Sequence, residues 1–399
     1  MPKVYSKALN RTIEVERIIG KFKGKGPTVI FTGGIHGNEP SGVFALKQVI
    51  DEIDKNKVPL KGSLYAISGN IWALQQGKRF HKEDLNRLWT KKRISAIKDG
   101  SFNPTNNDEV EQVDLYRTIK SIMNNDQGPY YFMDLHTTSG MTIPFLTVND
   151  SLLNRKFIEQ YPVPTILGIE EYLEGPLLSY INELGYVAFG YEAGQHDELS
   201  AIENNVAFIY LSLVYAGVID KNSIDYYHYY DLLAKNYVHS KDIYEIFYHY
   251  KIQPGEKFEM LPGFVNFEKV RKGQQLGESD QKPIISSTNG RLFMPLYQSS
   301  GEDGFYTIKA VPRLFLDLSK LLRNIKFDRF LSYLPGIKWE SDTRDALIVN
   351  RRIAIFFAKQ FFHLLGYRSK ELDHNHYRMK NREAASRTED YEESLWFNN

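Results

Sequence analysis

At 399 residues the chain exceeds one typical core and implies two units with an extension. Its formal charge of +1 supplies no global field for nucleic acid or an anionic membrane, so neither is expected as a partner. There is no cysteine, which excludes disulfides and thiolate metal ligands and fits a reducing compartment.

The start, Met1 to Arg17, is polar and lacks the apolar core of a secretory signal. No apolar run approaches the ~20 residues that cross a bilayer. The cytoplasm is the expected setting. TVIFTG (28–33) reads as a short buried strand, and its Gly-rich exit GGIHGNEPSG leads into a helix that starts near Ser41, just after Pro40. SLYAISG (63–69) reads as a strand, EVEQVDLYRTIKSIM (109–123) as a helix, and YYFMDLH (130–136) as a strand. YVAFGYEAG (186–194) is a further strand, followed by a helix through ENNVAFIYLSLVYAG. This alternation predicts an α/β unit with a mostly parallel sheet, which places ligands at the carboxyl ends of its strands.

The Tyr-, His- and Lys-rich stretch 225–251 is interrupted by acids and predicts packing between units, with a base-stacking platform as the alternative. Residues 243–312 carry short strand-like runs between turns and predict a small all-β domain. Apolar spacing over 341–367 predicts helix, and the last thirty residues, charged and sparse in aliphatics, a solvated tail. The expected division is 1–240 catalytic, 241–315 a β-domain capping the cleft, and 316–399 a helical extension and tail.

Four short stretches carry chemistry. In GGIHGNEPSG, His36 and Glu39 stand three apart in a loop directly after a strand, and DLHTTSG puts His136 at the end of another. Two imidazoles and a carboxylate are the ligand set of carboxypeptidase-type zinc sites, which keep one position for water. An isolated H-x-x-E is common by chance; the pair of strand-end motifs is not. Asp134 is a candidate to orient a ligand histidine, or a loop hydrogen-bond partner. In GKRFHKEDLNRLW, Arg79 and Arg87 flank Asp84 and Asn86, and arginine forks suit carboxylates; surface ion pairing is the plainer alternative. His81 of the same loop is a weak ligand candidate. In GYEAGQH, Glu192 sits in an apolar strand, where a carboxylate needs a purpose: a general base, or a buried ion-pair partner.

Together GGIHGNEPSG, KRFHKEDLNRLW, DLHTT and YEAGQH, in this order, resemble the succinylglutamate desuccinylase/aspartoacylase family, a branch of the zinc carboxypeptidase-like hydrolases. The resemblance covers about residues 28–312. It implies one Zn2+ per chain on His36, Glu39 and His136, with Glu192 as the acid/base carboxylate and Arg79 polarising the scissile carbonyl. It further implies that Asn86 and Arg87 grip the substrate's α-carboxylate and that Tyr306 reaches the substrate from the β-domain. The implied activity is hydrolysis of the amide bond of a small N-acyl amino acid, and homo-oligomerisation stays open. A carboxypeptidase acting on short peptides and a metal-binding protein without turnover are the rival readings. Aspartoacylase carries another substrate-binding arginine ten residues before its acid/base glutamate; here that position is Asn182, so the acyl group stays open.

Overall fold

The computed structural model describes residues 1–235, 241–298, 301–350 and 359–398. The central strands are β1 (Ile18–Phe22), β2 (Thr28–Gly33), β3 (Ser63–Ser68), β4 (Tyr130–Thr138), β5 (Phe145–Val148), β6 (Thr165–Leu167) and β7 (Val187–Gln195). They continue into β8 (Ile243–Lys251), β9 (Lys269–Val270), β10 (Gly290–Phe293) and β11 (Asp303–Ala310). All belong to one 11-stranded sheet in the order β9-β10-β11-β8-β6-β5-β7-β4-β2-β3-β1.

Strands β3, β2, β4 and β7 run parallel. Both faces of these strands are covered, so they read as unbroken apolar runs. Alternation divides their side chains. Val29, Phe31, Tyr131 and Met133 enter one core, packed by helices α1 (Ser41–Asn56) and α4 (Leu199–Tyr215). Ile30, Tyr65, Tyr130 and Phe132 enter the other, packed by α2 (Asn107–Asn125) and α3 (Leu177–Glu183). The α2 start is fixed by Asn106, whose side chain accepts from Glu109 N, and by Asp108 and Glu109 in the first turn.

Residues 243–312 are β-structured as expected, but they do not form a separate sheet alone. β8 pairs parallel with β6 and thereby extends the central sheet, with β11 and β10 beyond it. A three-stranded antiparallel sheet (258–260, 275–279, 282–285) lies beside them. In the stretch 225–251, helix Tyr226–Ala234 packs on α4, with Tyr229 stacked on Tyr210, and the end of the stretch is β8; residues 236–240 lie outside the described residues.

The expectation of helix over 341–367 and of a helical extension is corrected. After α5 (Arg313–Asn324) the chain forms a four-stranded antiparallel sheet of β12 (Ile337–Trp339), β13 (Ala346–Asn350), β14 (Tyr367–Asp373) and β15 (His376–Asn381). ALIVN pairs with both β12 and β15, because an apolar run of four fits a covered strand as readily as a helix face. Only Lys359–Leu364 is helical there, and 351–358 lie outside the described residues. The solvated-tail expectation is corrected too. Tyr391 is fully buried; its hydroxyl donates to Tyr130 O and accepts from Val187 N, while Trp396 Nε1 donates to Tyr131 Oη. Two aromatics suffice to dock a segment poor in aliphatics. Among the described residues, no helix is long and apolar enough to cross a membrane.

Candidate active site

The carboxyl ends of β2, β4 and β7 converge on one cleft of about 1060 Å³. After β2 the chain turns sharply through Gly34 at φ +73°, and at Gly37 a Cβ would stand 2.0 Å from the backbone carbon of Ala73. That backbone approach holds the 34–40 loop against the following segment and points His36 and Glu39 inward. His136 enters from the end of β4.

The three side chains are buried, and one ligand-type atom from each lies within 4.8 Å of the others. His36 Nδ1 stands 2.9 Å from Glu39 Oε1, and His136 Nδ1 2.9 Å from Glu39 Oε2. The outer nitrogens also face carboxylates: His36 Nε2 lies 3.0 Å from Asp84 Oδ1 and His136 Nε2 2.7 Å from Asp134 Oδ2. Asp134 and His136 share a strand face at i and i+2, and the Thr32 hydroxyl donates to the other Asp134 oxygen at 2.6 Å.

This donor set fits a cation. Four carboxylate contacts surround two rings, yet a neutral imidazole carries one N–H. If the two protons sit on Nε2, facing Asp84 and Asp134, both Nδ1 lone pairs are left beside the Glu39 carboxylate, all within ligand reach of one another. A divalent ion there satisfies all of them with both rings neutral, in the carboxylate–histidine–metal pattern of zinc proteins. Without an ion, the same crowding shows as displaced pKa values. Burial opposes ionisation of Glu39, but the charges and hydrogen bonds of His36 and His136 outweigh it and hold the carboxyl well below its usual range. Burial likewise disfavours the His136 imidazolium, but Asp134 and Glu39 raise it well above its ordinary value.

Glu192 lies directly opposite His136 in the parallel β4–β7 register, and its Oε2 is buried without a hydrogen-bond partner. Burial, with the Glu39 charge adding to it, pushes its carboxyl up to about 7, against the pull of the histidines and Arg79. A carboxyl that exchanges a proton near neutrality beside a cation site is suited to acid/base work.

The loop 78–90 forms one flank. Asp84 caps the short turn Leu85–Arg87 and anchors Arg79, whose Nη2 lies 3.1 Å from Asp84 Oδ2 and whose Nη1 lies 3.4 Å from Glu39 Oε1. Asn86 accepts from Leu177 N at 3.0 Å. Arg87 donates to Asn86 O and stands 3.4 Å from Asp303 of β11. Tyr306 of the same strand lines the cleft and stacks on His249 at 4.5 Å. The structure therefore brings His36, Glu39, His136, Glu192, Arg79, Asn86, Arg87 and Tyr306 to one cleft. It leaves out His81, whose ring packs on Trp72, and Asn182, whose amide donates to Tyr186 O and Ala188 O. Sequence reasoning gave no role to Asp303, Thr137, His196 or Gln298, which also line the cleft, or to His249, which contacts Asp303 and Tyr306. His196 stood in the quoted YEAGQH; Asp303 and Gln298 arrive from distant chain and carry no local signal.

Residues 25–207 match the family model of the succinylglutamate desuccinylase/aspartoacylase catalytic domain. The succinylglutamate desuccinylase of Yersinia pestis (strain Pestoides F) is 34% identical over 62 residues, which are 16% of this chain and 19% of that relative; the match thus spans about a fifth of the relative's length. Among solved structures, a succinylglutamate desuccinylase/aspartoacylase from Rhodobacter sphaeroides superposes with a TM-score of 0.56 at 17% identity, over 78% of this chain and 94% of that one. The succinylglutamate desuccinylase from Vibrio cholerae gives 0.51 at 18% identity, over 72% and 83%. At these identities the likeness establishes a shared fold. Residues 25–207 are thus similar to the catalytic domain of the succinylglutamate desuccinylase/aspartoacylase family.

Proposed function

We propose that this protein is a zinc-dependent amidohydrolase that cleaves the amide bond of a small N-acyl amino acid in the cytoplasm. The observation that carries the reading is the buried cluster of His36, Glu39 and His136, with one ligand-type atom from each within 4.8 Å of the others and Glu192 Oε2 buried beside it without a hydrogen-bond partner. Zinc held by His36, Glu39 and His136 supplies a Lewis acid that activates water and polarises an acyl carbonyl. Asp84 and Asp134 hold the rings in the ligating tautomer. Glu192 takes the proton of the attacking water and delivers it to the leaving amine nitrogen. Arg79 donates from its guanidinium to the acyl oxygen as negative charge grows there, a contact typically worth ~3–4 kcal/mol.

Asn86 and Arg87 hold the substrate's α-carboxylate; Arg87 gives up its long contact to Asp303 to do so. Tyr306 closes that end of the cleft. In this reading 1–240 is the catalytic unit, 241–315 supplies the lip of the cleft and 316–399 braces it from outside. The test is a screen of the zinc-loaded protein against N-acyl amino acids, with a short-peptide panel beside it. Release of free amino acid from an N-acyl substrate, lost on chelation and regained with zinc, is the expected result. Cleavage of peptides alone would move the protein to the carboxypeptidases; zinc binding without turnover of either would make it a binding protein.

A further inference from the structure

The two oxygens of Glu39 divide the cleft. Arg79 approaches Oε1, and behind it stand Asp84, Asn86 and Arg87. Thr137 N donates to Oε2 at 3.2 Å, and behind it stands His196, whose Nδ1 lies 2.7 Å from Thr137 Oγ1. Gln298, from the segment after β10, completes this second flank, accepting from Asn38 Nδ2 at 3.0 Å. Gly140 packs against Pro295 and Tyr297, and Tyr297 N donates to Ser139 Oγ, so the 294–298 segment is fastened to the turn after β4.

The tautomer of His196 follows from Thr137. That hydroxyl is buried and makes no other hydrogen bond among the described residues, so its proton goes to Nδ1. His196 then carries its own proton on Nε2, which is buried without a hydrogen-bond partner and lies in the lining of the cleft. Burial holds this ring below its usual pKa, against Glu39 and Gln298, which raise it. The charge on this flank is one-sided. Among the described residues, the lysines and arginines lining the cleft are Arg79, Lys82, Arg87, Arg93, Lys251 and Arg368; none comes from 136–140, 192–198 or 294–298. The charges that act on His196 are those of Glu39, Arg79 and Asp197.

We infer that Thr137, His196 and Gln298 form the acyl-side subsite and that it takes a small uncharged acyl group bearing an acceptor oxygen, which His196 Nε2–H binds. This rests on the deacylase reading above: a substrate that straddles the centre with its α-carboxylate at Arg87 must lay its acyl group on the opposite flank. An acyl chain ending in a carboxylate, such as the succinyl group in the names of the matched relatives, meets no lysine or arginine among the described residues of that flank. Burying it there without a partner costs its hydration.

The experiment compares kcat/KM of the zinc-loaded full chain on the N-acetyl, N-hydroxyacetyl and N-succinyl forms of one amino acid. The expected order is hydroxyacetyl above acetyl by about tenfold, the scale of one added hydrogen bond to a fixed donor, with succinyl poorest. His196→Ala should bring the hydroxyacetyl-to-acetyl ratio to about one, and His196→Gln, which keeps an N–H near the same place, should restore part of it. Zinc content and thermal unfolding report whether each variant is folded, and the wild-type order needs no variant. Hydrolysis led by the succinyl form, or a ratio unchanged in folded His196→Ala, would overturn the subsite while leaving the deacylase reading intact. Hydrolysis of none of these forms, nor of any other N-acyl amino acid, would overturn both.

Discussion

Two clusters of buried charge organise this chain, one in the cleft and one where the last third of the chain meets the first half. In the cleft, two histidine rings each face a carboxylate on both nitrogens, and protons are short. At the junction, Asp150 accepts from Arg155 and, at 2.8 Å, from Arg323; Arg323 also reaches Glu383, while Arg382 pairs with Glu170 and Glu171. There guanidiniums meet carboxylates nearly one for one. The same residue types thus do different things according to their balance. A cluster with acceptors left over is a place for a cation; a matched cluster is a joint. The joint also inverts α5, which buries Ser319 and Arg323 and turns Leu314, Phe315 and Leu321 outward.

The largest effects should separate the two clusters cleanly. Glu192→Gln keeps volume and removes the proton acceptor, so kcat should fall by ~10²–10⁴ with zinc content and unfolding temperature held. A variant that turns over at the wild-type rate would assign the proton transfer elsewhere. Arg323→Met should do the reverse. It leaves Asp150 and Glu383 buried beside fewer charges and should cost about 3–5 kcal/mol in urea unfolding, with the zinc affinity of folded chains kept. Loss of zinc affinity in step with stability would mean the joint and the cleft are one unit.

The joint predicts a pH dependence. Burial alone would raise the Asp150 carboxyl, but Arg155, Arg323 and Arg382 outweigh it and hold it below the ordinary range. A depressed carboxyl adds stability that is fully present above its unfolded pKa of about 4 and is lost as pH falls toward the folded value. Wild type should therefore lose stability as pH drops below about 4. Asp150→Asn should be weaker at neutral pH and flatter in acid; an unchanged acid limb would remove Asp150 from the account.

How far the sequence could be read follows the same division. The parallel strands were visible because their runs are short, apolar and followed by helix-spaced segments. The cleft was visible because its motifs sit at strand ends, where a fold of this class gathers them. The joint was invisible: Arg323 and Asp150 are 173 positions apart, and nothing local distinguishes Arg323 from a surface arginine. The tail misled because aliphatic content was used as the measure of burial, while Tyr391 and Trp396 did the docking. In 346–350, apolar residues satisfied the helical and strand periods at once, and strand pairing decided the outcome.

Tyr391 gives a smaller test of that tail. Tyr391→Phe keeps the ring but leaves Val187 N and Tyr130 O without their hydroxyl partner, and should cost about 1–3 kcal/mol. A neutral result would mean that ring packing alone holds the segment.

The smallest effect is expected on the outward face of α5. By pattern alone, Leu314, Leu318, Leu321 and Ile325 would be read as the buried stripe of an amphipathic helix, and truncating a buried leucine costs about 2–5 kcal/mol. In the structure Leu321 is 57% exposed, and what fixes the helix is Arg323 on the other side. Leu321→Ser should therefore change stability by no more than about 0.5 kcal/mol, as surface substitutions do. Leu331→Ala, only ten residues on but in the core of the C-terminal sheet, should cost the full amount. Urea unfolding of the pair decides the matter. If Leu321→Ser proves as costly as Leu331→Ala, the helix packs by its leucines, and the ion cluster is not what joins the two halves.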